Sequence, residues 1–186
     1  MQEINKLRKI YELKNVERAS HVGERKESAA EHTWSALMLA DYFLSKINSS
    51  LDWLKVYELL MYHDLVEIDA GDTAITDLEG RKSKKERESK ALESLKTKLP
   101  SITAKKFEQL FQEYENGTSK EAKFVKAIDA LDGAIHELDY KEDWKNWTEE
   151  FLRKHKGPIF EEFPELKETH EAFLKYAKEN GYFDQS

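Results

Sequence analysis

Apolar residues recur at three- and four-residue intervals along almost the whole chain, and no convincing two-residue alternation interrupts them. That period belongs to amphipathic helices rather than strands, so an all-α fold is expected. Residues 2–13 put Ile4, Leu7 and Ile10 or Tyr11 on one face. Residues 30–47 carry the strongest stripe, Trp34, Leu37, Met38, Ala40, Leu44 and Ile47, and Asn48-Ser49-Ser50 breaks it. Asp52 suits the cap of a helix over 53–68. Ser83 with Glu86 fits a capping box ahead of Ala91, Leu92, Leu95 and Leu99, and Pro100 stops that helix. Residues 101–115 carry Phe107, Leu110, Phe111 and Tyr114, ending at Asn116-Gly117. Thr118 with Glu121 opens a further helix through Phe124, Val125, Ile128, Leu131 and Ile135. Helices over 144–154 and 163–180 flank Gly157-Pro158. Residues 15–28, of mixed polarity around Gly23, and residues 69–80 read as connections.

The 186 residues hold no internal repeat, Pro-rich linker or low-complexity block, so one domain over 1–186 is expected, a bundle of roughly six to eight helices. There is no cysteine, which removes disulfides and zinc–thiolate sites. The net charge of −7 argues against a nucleic-acid polymer as partner, but a small anion can still bind where a cation dominates the local field. No run reaches the roughly 18–20 apolar residues of a membrane span, and the opening residues lack the apolar stretch of a secretory leader. No membrane partner and a cytoplasmic location are expected.

Against this background one constellation of acids and imidazoles stands out: His32, the adjacent pair His63-Asp64, and Asp129. His32 opens the most apolar helix, and Asp129 interrupts the apolar run F-V-K-A-I-D-A-L-D, where a buried carboxylate needs a compensating cation. Two imidazoles and two carboxylates on three helices form a ligand set for one divalent transition metal ion in a bundle core. Such an ion points to metal-assisted phosphate-ester hydrolysis. Glu67, four residues after His63, lies one turn on and hence on the same face of the 53–68 helix, and is placed to accept a proton from an attacking water; its plainer reading is an ordinary helix carboxylate. Asp72 suits either a water-orienting role or a loop cap, and Asp132 is the rival for the fourth ligand position.

The segments E-S-A-A-E-H (27–32), H-D-L-V-E-I-D-A-G-D-T (63–73) and A-K-F-V-K-A-I-D-A-L-D (122–132) together resemble the HD-domain metal-dependent phosphohydrolases, especially their small 5'-deoxynucleotidase-like branch. The resemblance covers about residues 13–140 and leaves the C-terminal helices, 144–180, without a counterpart. It implies a helical bundle of the HD-domain type, with His32, His63, Asp64 and Asp129 as ligands and Glu67 and Asp72 as the catalytic acids. It further implies Arg18 near the 5'-phosphate and deoxyribose, with phosphate contact assigned to Thr73 and Lys126. The implied ion is manganese or cobalt in assays, the substrate a small nucleotide, and the assembly a homodimer. One departure is visible: R-A-S-H-V places His21 where the characterised deoxynucleotidases carry an aromatic residue after the arginine. Sugar selectivity therefore stays open. So do an HD hydrolase of another phosphorylated metabolite or nucleotide diester, and a non-catalytic helical dimer with a structural metal.

Other features have plainer readings. Residues 81–90 are basic at their start and could close over a phosphate, but they interleave Lys and Arg with Glu, and the favoured reading is a solvated helix face. Trp144, Trp147 and Phe151 read as a packing face. His136 shares the face of Asp129 and suits a supporting contact, while His155 and His170 read as surface residues.

Overall fold

In a computed structural model the described residues are 1–47, 50–144 and 147–183. The chain begins with α1 (Gln2–Ile10), continues through a 3-10 stretch (Tyr11–Asn15), and then forms an antiparallel hairpin of β1 (Glu17–Val22) and β2 (Arg25–Ser28). Helices α2 (Ala29–Leu44), α3 (Trp53–Tyr62), α4 (Glu67–Ala70), α5 (Leu78–Lys98), α6 (Ser101–Asn116) and α7 (Lys120–His136) follow. Short 3-10 turns then lead into α8 (Glu149–His155) and α9 (Pro164–Glu179). The fold is all-α apart from the hairpin.

The hairpin corrects the reading of residues 15–28 as a connection. His21 pairs with Lys26 and Val22 with Arg25, and the register is irregular between Glu17 and His21. Most of β1 is polar, so it shows no alternation for a sequence reading to find.

Several boundaries also move. Ser28 caps α2 with a reciprocal box to Glu31, and Asp52 caps α3 as expected. The break expected at Asn48 and Ser49 lies outside the described residues. α5 starts before the expected Ser83 box, with Asp77 accepting from the Gly80 N–H; Ser83 instead donates to the Gly80 carbonyl. Ser119, not Thr118, caps α7 by accepting from the Ala122 N–H.

Helices α2, α3 and α7 pack together around Ala36, Ala40, Phe43, Val56, Leu59, Leu60, Phe124, Ile128 and Leu131, all buried. Phe124 meets Phe163 edge-on at 5.3 Å, a geometry that adds to the burial of both rings. α5 and α6 form a neighbouring core with Leu65 and Val66. The C-terminal segment builds a third around Trp144, Trp147, Leu152, Phe173 and Leu174, seated against Ala134 of α7. The α2 stripe rotates relative to expectation: Ala36, Ala40, Phe43 and Leu44 are buried, whereas Trp34 is 66% and Met38 56% exposed.

His170 is a further correction. It is buried, stacked on Phe160 at 4.4 Å, and its Nε2 has no partner among the described residues. Burial pushes its pKa down to about 4. The unfolded imidazole, near 6.5, therefore takes a proton before the folded one does. The stability this contributes is full above about pH 6.5 and lost as pH falls toward 4. Unfolding by denaturant at pH 7 and pH 5 is expected to show a drop of roughly 1–3 kcal/mol. His170→Phe should lessen that drop; an identical drop in the variant would place the effect elsewhere.

Candidate metal centre and active-site cleft

His32 projects from the first turn of α2 and is fully buried. Its Nδ1 lies 2.8 Å from Asp132 Oδ2, and that contact fixes the proton on Nδ1. His63 follows the last residue of α3, where its Nδ1 donates to the Leu60 carbonyl at 2.7 Å. In their neutral forms both rings thus direct a lone pair at the same point, and the two Nε2 atoms stand 3.4 Å apart. Asp129 Oδ1 lies 3.0 Å from His32 Nε2, and Asp64 lies 3.2 Å from His63 Nε2 and 3.8 Å from His32 Nε2. Ligand atoms of His32, His63 and Asp129 all fall within 4.8 Å of one another.

The acceptors of His32, His63 and Asp129, with Asp64 beside the two imidazoles, repel unless a cation sits among them, so the donor set fits a divalent ion. Asp64 Oδ2, buried and without a hydrogen-bond partner among the described residues, fits it too. Without a cation, protonated His32 is the counter-charge. Burial and Arg18 oppose that proton, but hydrogen bonds to Asp129 and Asp132 prevail and push the pKa up to about 10. Asp132 is thus the group that orients His32, since it contacts the ring nitrogen that faces away from His63 and Asp129.

The helix expected over 53–68 breaks at His63. Backbone bonds from the Leu65 N–H to Tyr62 O and from the Glu67 N–H to Asp64 O tighten the chain into a turn before α4. Glu67 therefore reaches the cleft from its own short helix and not from the turn after His63. It is buried, and its Oε2 has no hydrogen-bond partner among the described residues. Burial first, then Asp64 and Asp72, hold its pKa well above the usual carboxylate range. Gly71 ends α4 at φ +74°, a conformation that favours glycine, and the reversal brings Asp72 to the cleft wall.

Arg18 comes from β1. Its Nε donates to buried Glu27 of the hairpin at 3.1 Å, and its Nη1 lies 3.5 Å from Asp64 Oδ2. Burial opposes its charge, but Asp64, Asp129, Asp72 and Glu27 outweigh that and raise its pKa. Tyr114 of α6 donates to Asp129 Oδ2 at 2.8 Å, occupying that carboxylate's second oxygen. Thr73 and Lys126 both line the cleft. Thr73 Oγ1 accepts from Arg87 at 2.7 Å, and Lys126 donates to the Glu115 carbonyl at 2.9 Å.

The solvated-face reading of residues 81–90 needs correction. Lys84 lines the cleft 3.4 Å from Glu88, and Arg87 holds the loop through Ala70 O, Thr73 and Gly80 O. Sequence reasoning also missed Glu27 and Tyr114. A buried acid nine residues from Arg18 signals a partner only once the hairpin is known. His136 takes a supporting place through Glu27, 3.9 Å away, and through the His21 carbonyl.

The cleft has a volume of about 400 Å³, enough for a small organic phosphate. A His/Asp cage at its floor, with an arginine and an unpartnered carboxylate beside it, defines a metal-dependent phosphohydrolase. The HD domain family matches residues 10–167, and the chain belongs to that family. It is 32% identical over 143 residues to the 5'-deoxynucleotidase HDDC2 of Bos taurus, a match covering 75% of this chain and 68% of the relative. The Mus musculus protein of the same name is 31% identical over 143 residues, covering 75% and 70%. The crystal structure of a predicted metal-dependent phosphohydrolase from Magnetospirillum magnetotacticum MS-1 superposes with a TM-score of 0.87 at 30% identity. That match covers 99% of this chain and 97% of the other.

Proposed function

We propose that the cleft hydrolyses nucleoside 5'-monophosphates, deoxyribonucleotides among them, to nucleoside and inorganic phosphate. The observation that carries this is the inward-facing acceptor cage beside Arg18 and Glu67, and the names of the relatives favour a nucleotide over another phosphate ester. His32, His63, Asp64 and Asp129 would hold one divalent ion, manganese or cobalt in assays. When bound, that ion supplies Lewis acidity toward a phosphate oxygen and lowers the pKa of water.

The protein's own groups do the rest. Arg18, pinned by Glu27, meets the 5'-phosphate. Glu67 takes a proton from the attacking water, whose oxygen bonds to phosphorus as the bond to the 5'-oxygen breaks. The departing 5'-oxygen takes up a proton from solvent as it leaves, and Glu67 returns the proton it gained to solvent, so the step balances to nucleoside and phosphate. Asp72 orients the water or a sugar hydroxyl, and Thr73 and Lys126 add phosphate contacts at the wall. His21, where the characterised deoxynucleotidases carry an aromatic residue, is held 2.7 Å from Asp143 and is not among the residues lining the cleft, which leaves the sugar's 2'-position unscreened from that side. Phosphate release from a panel of deoxy- and ribonucleoside 5'-monophosphates, with Asp64→Ala as the blank, tests this reading and ranks the sugars. Silence across the panel from metal-loaded protein would overturn it.

The working unit in this reading is a homodimer of one-domain chains in the cytoplasm. Among the described residues no helix is long and apolar enough to cross a membrane. Trp34, Met38 and Tyr42 stand one turn apart on α2 and are exposed, as are Trp53, Leu54 and Met61 on α3, which packs against α2. Apolar surface of that kind suits a second copy. Sedimentation should give twice the chain mass for the wild type and the single mass for Trp34→Glu/Met38→Glu; a monomeric wild type would refute the dimer.

A further inference from the structure

The cleft extends well beyond the metal cage. α7 carries its wall outward from Asp129 through Gly133, one turn on, and Glu137, the residue just past the helix end, continues it, a run of about 12 Å at 1.5 Å per residue. The C-terminal segment supplies the facing wall with Trp147, Lys156 and Ile159. None of these residues has a part in the hydrolytic steps above.

Their electrostatics are unusual. Lys156 donates to the Ala130 carbonyl at 3.1 Å, and its Nζ stands 5.5 Å from the centre of the Trp147 ring. Among the described residues the Glu137 carboxylate accepts a single long bond, 3.4 Å, from the Ser20 hydroxyl. Among the described residues neither has an oppositely charged partner within 4.0 Å, although each is the other's foremost counter-charge. Burial pushes the Lys156 ammonium down and the Glu137 carboxyl up, so both charges are held at a cost. A half-buried donor and acceptor that line one cavity without closing on each other leave room for a ligand between them. Gly133 gives the same indication. It lies inside a helix, where glycine is disfavoured relative to alanine, and a Cβ built there meets nothing within 4 Å. Its missing side chain is open space and not a packing requirement.

We propose that this wall is the nucleoside subsite. Gly133 leaves space for the sugar, the Trp147 indole flanks the base, and Lys156 and Glu137 donate to and accept from the base's pairing edge. The proposal rests on the nucleotide reading of the cleft and names the residues that set its substrate class. Every nucleobase carries an adjacent donor and acceptor on that edge, so the pair recognises a base without choosing among the four. A sugar phosphate or small phosphoester leaves both charges unmatched, and sites built around such groups discriminate strongly against ligands that lack them.

Calorimetry with the metal-supplemented full chain tests the subsite without turnover. The probes are 5'-phosphonate analogues of deoxyadenosine and thymidine, whose carbon–phosphorus bond resists hydrolysis, with methylphosphonate as the base-free control. Wild type should bind both nucleoside probes at least about tenfold more tightly than the control, the scale of one hydrogen bond to a charged group. Glu137→Leu and Lys156→Met, which keep approximate volume, should each lose about tenfold for the nucleoside probes and leave methylphosphonate unchanged. Gly133→Leu should exclude the nucleoside probes alone. Nucleoside probes that bind no better than methylphosphonate overturn the proposal. So do variants that bind them as wild type does, or that weaken all probes alike. Release of phosphate from deoxynucleotides and from deoxyribose 5-phosphate, measured alongside, keeps the two readings apart. Equal efficiency on both sinks the subsite and spares the phosphatase, whereas base-dependent binding with no turnover does the reverse.

Discussion

Asp64→Ala should retain the fold, lose the ion and lose phosphate release on the order of a thousandfold or more, about 4 kcal/mol at the barrier. Two effects act together. The substitution removes the carboxylate that stands 3.2 Å from His63 Nε2 and 3.8 Å from His32 Nε2. It also strips Arg18 of the oxygen 3.5 Å from its Nη1, so a guanidinium that has lost its foremost counter-charge then faces the position a cation would take. The fold has little reason to suffer, because Asp64 Oδ2 makes no hydrogen bond to the described residues and one repelling acid leaves a crowded cage. Asp64→Asn separates the charge from the shape and should fail almost as badly. Metal content by mass spectrometry and turnover must fall together. Full turnover with full metal content would remove Asp64 from the site. Loss of metal that lowers the melting temperature, in a protein whose wild type never turned over, would leave a cation that only staples the helices.

The approach of His32, His63 and Asp129 was legible because two of them sat where their chemistry conflicted with their helix. Asp129 lies in an apolar run, and His32 opens the most apolar helix. Such conflicts mark functional positions when a sequence is otherwise consistent. What stayed hidden has equally physical causes. Arg18 depends on Glu27 through a hairpin whose strand E-R-A-S-H-V has no apolar alternation to announce it. The break after α3 is invisible in M-Y-H-D-L-V-E-I-D-A, which keeps a helical period throughout. The structure there uses i−3 backbone bonds and a His63 ring tied to a carbonyl. Lys84 looked solvated because its neighbours in sequence are charged, yet the loop that Arg87 holds folds the cleft against it. His170 lies among exposed polar residues in sequence and between two phenylalanines in space. In every missed case the deciding partner is set by tertiary packing, which local periodicity does not encode.

Glu67→Gln should divide the cage from the chemistry. Glutamine matches glutamate in volume, so the packing of a side chain that is only 5% exposed is preserved, and what changes is the ability to take a proton. Glu67 Oε2 has no hydrogen-bond partner among the described residues, a costly state for a buried oxygen unless a ligand or water fills the place in the working enzyme. The strain has a use: burial, Asp64 and Asp72 all raise the affinity of this carboxyl for a proton. That makes it a stronger base than a solvated glutamate, while Arg18 and Lys84 keep the charged form accessible. The variant should keep its ion and its affinity for nucleotide, yet lose turnover on the order of a hundredfold or more, the contribution of a positioned general base. Because a base acts only as the transition state forms, the loss should fall on kcat with KM little changed. Loss of the metal instead would make Glu67 a holder of the ion and transfer the proton to another acid, Asp72 being the nearest choice on the cleft wall. A variant with wild-type kcat would take Glu67 out of the reaction altogether.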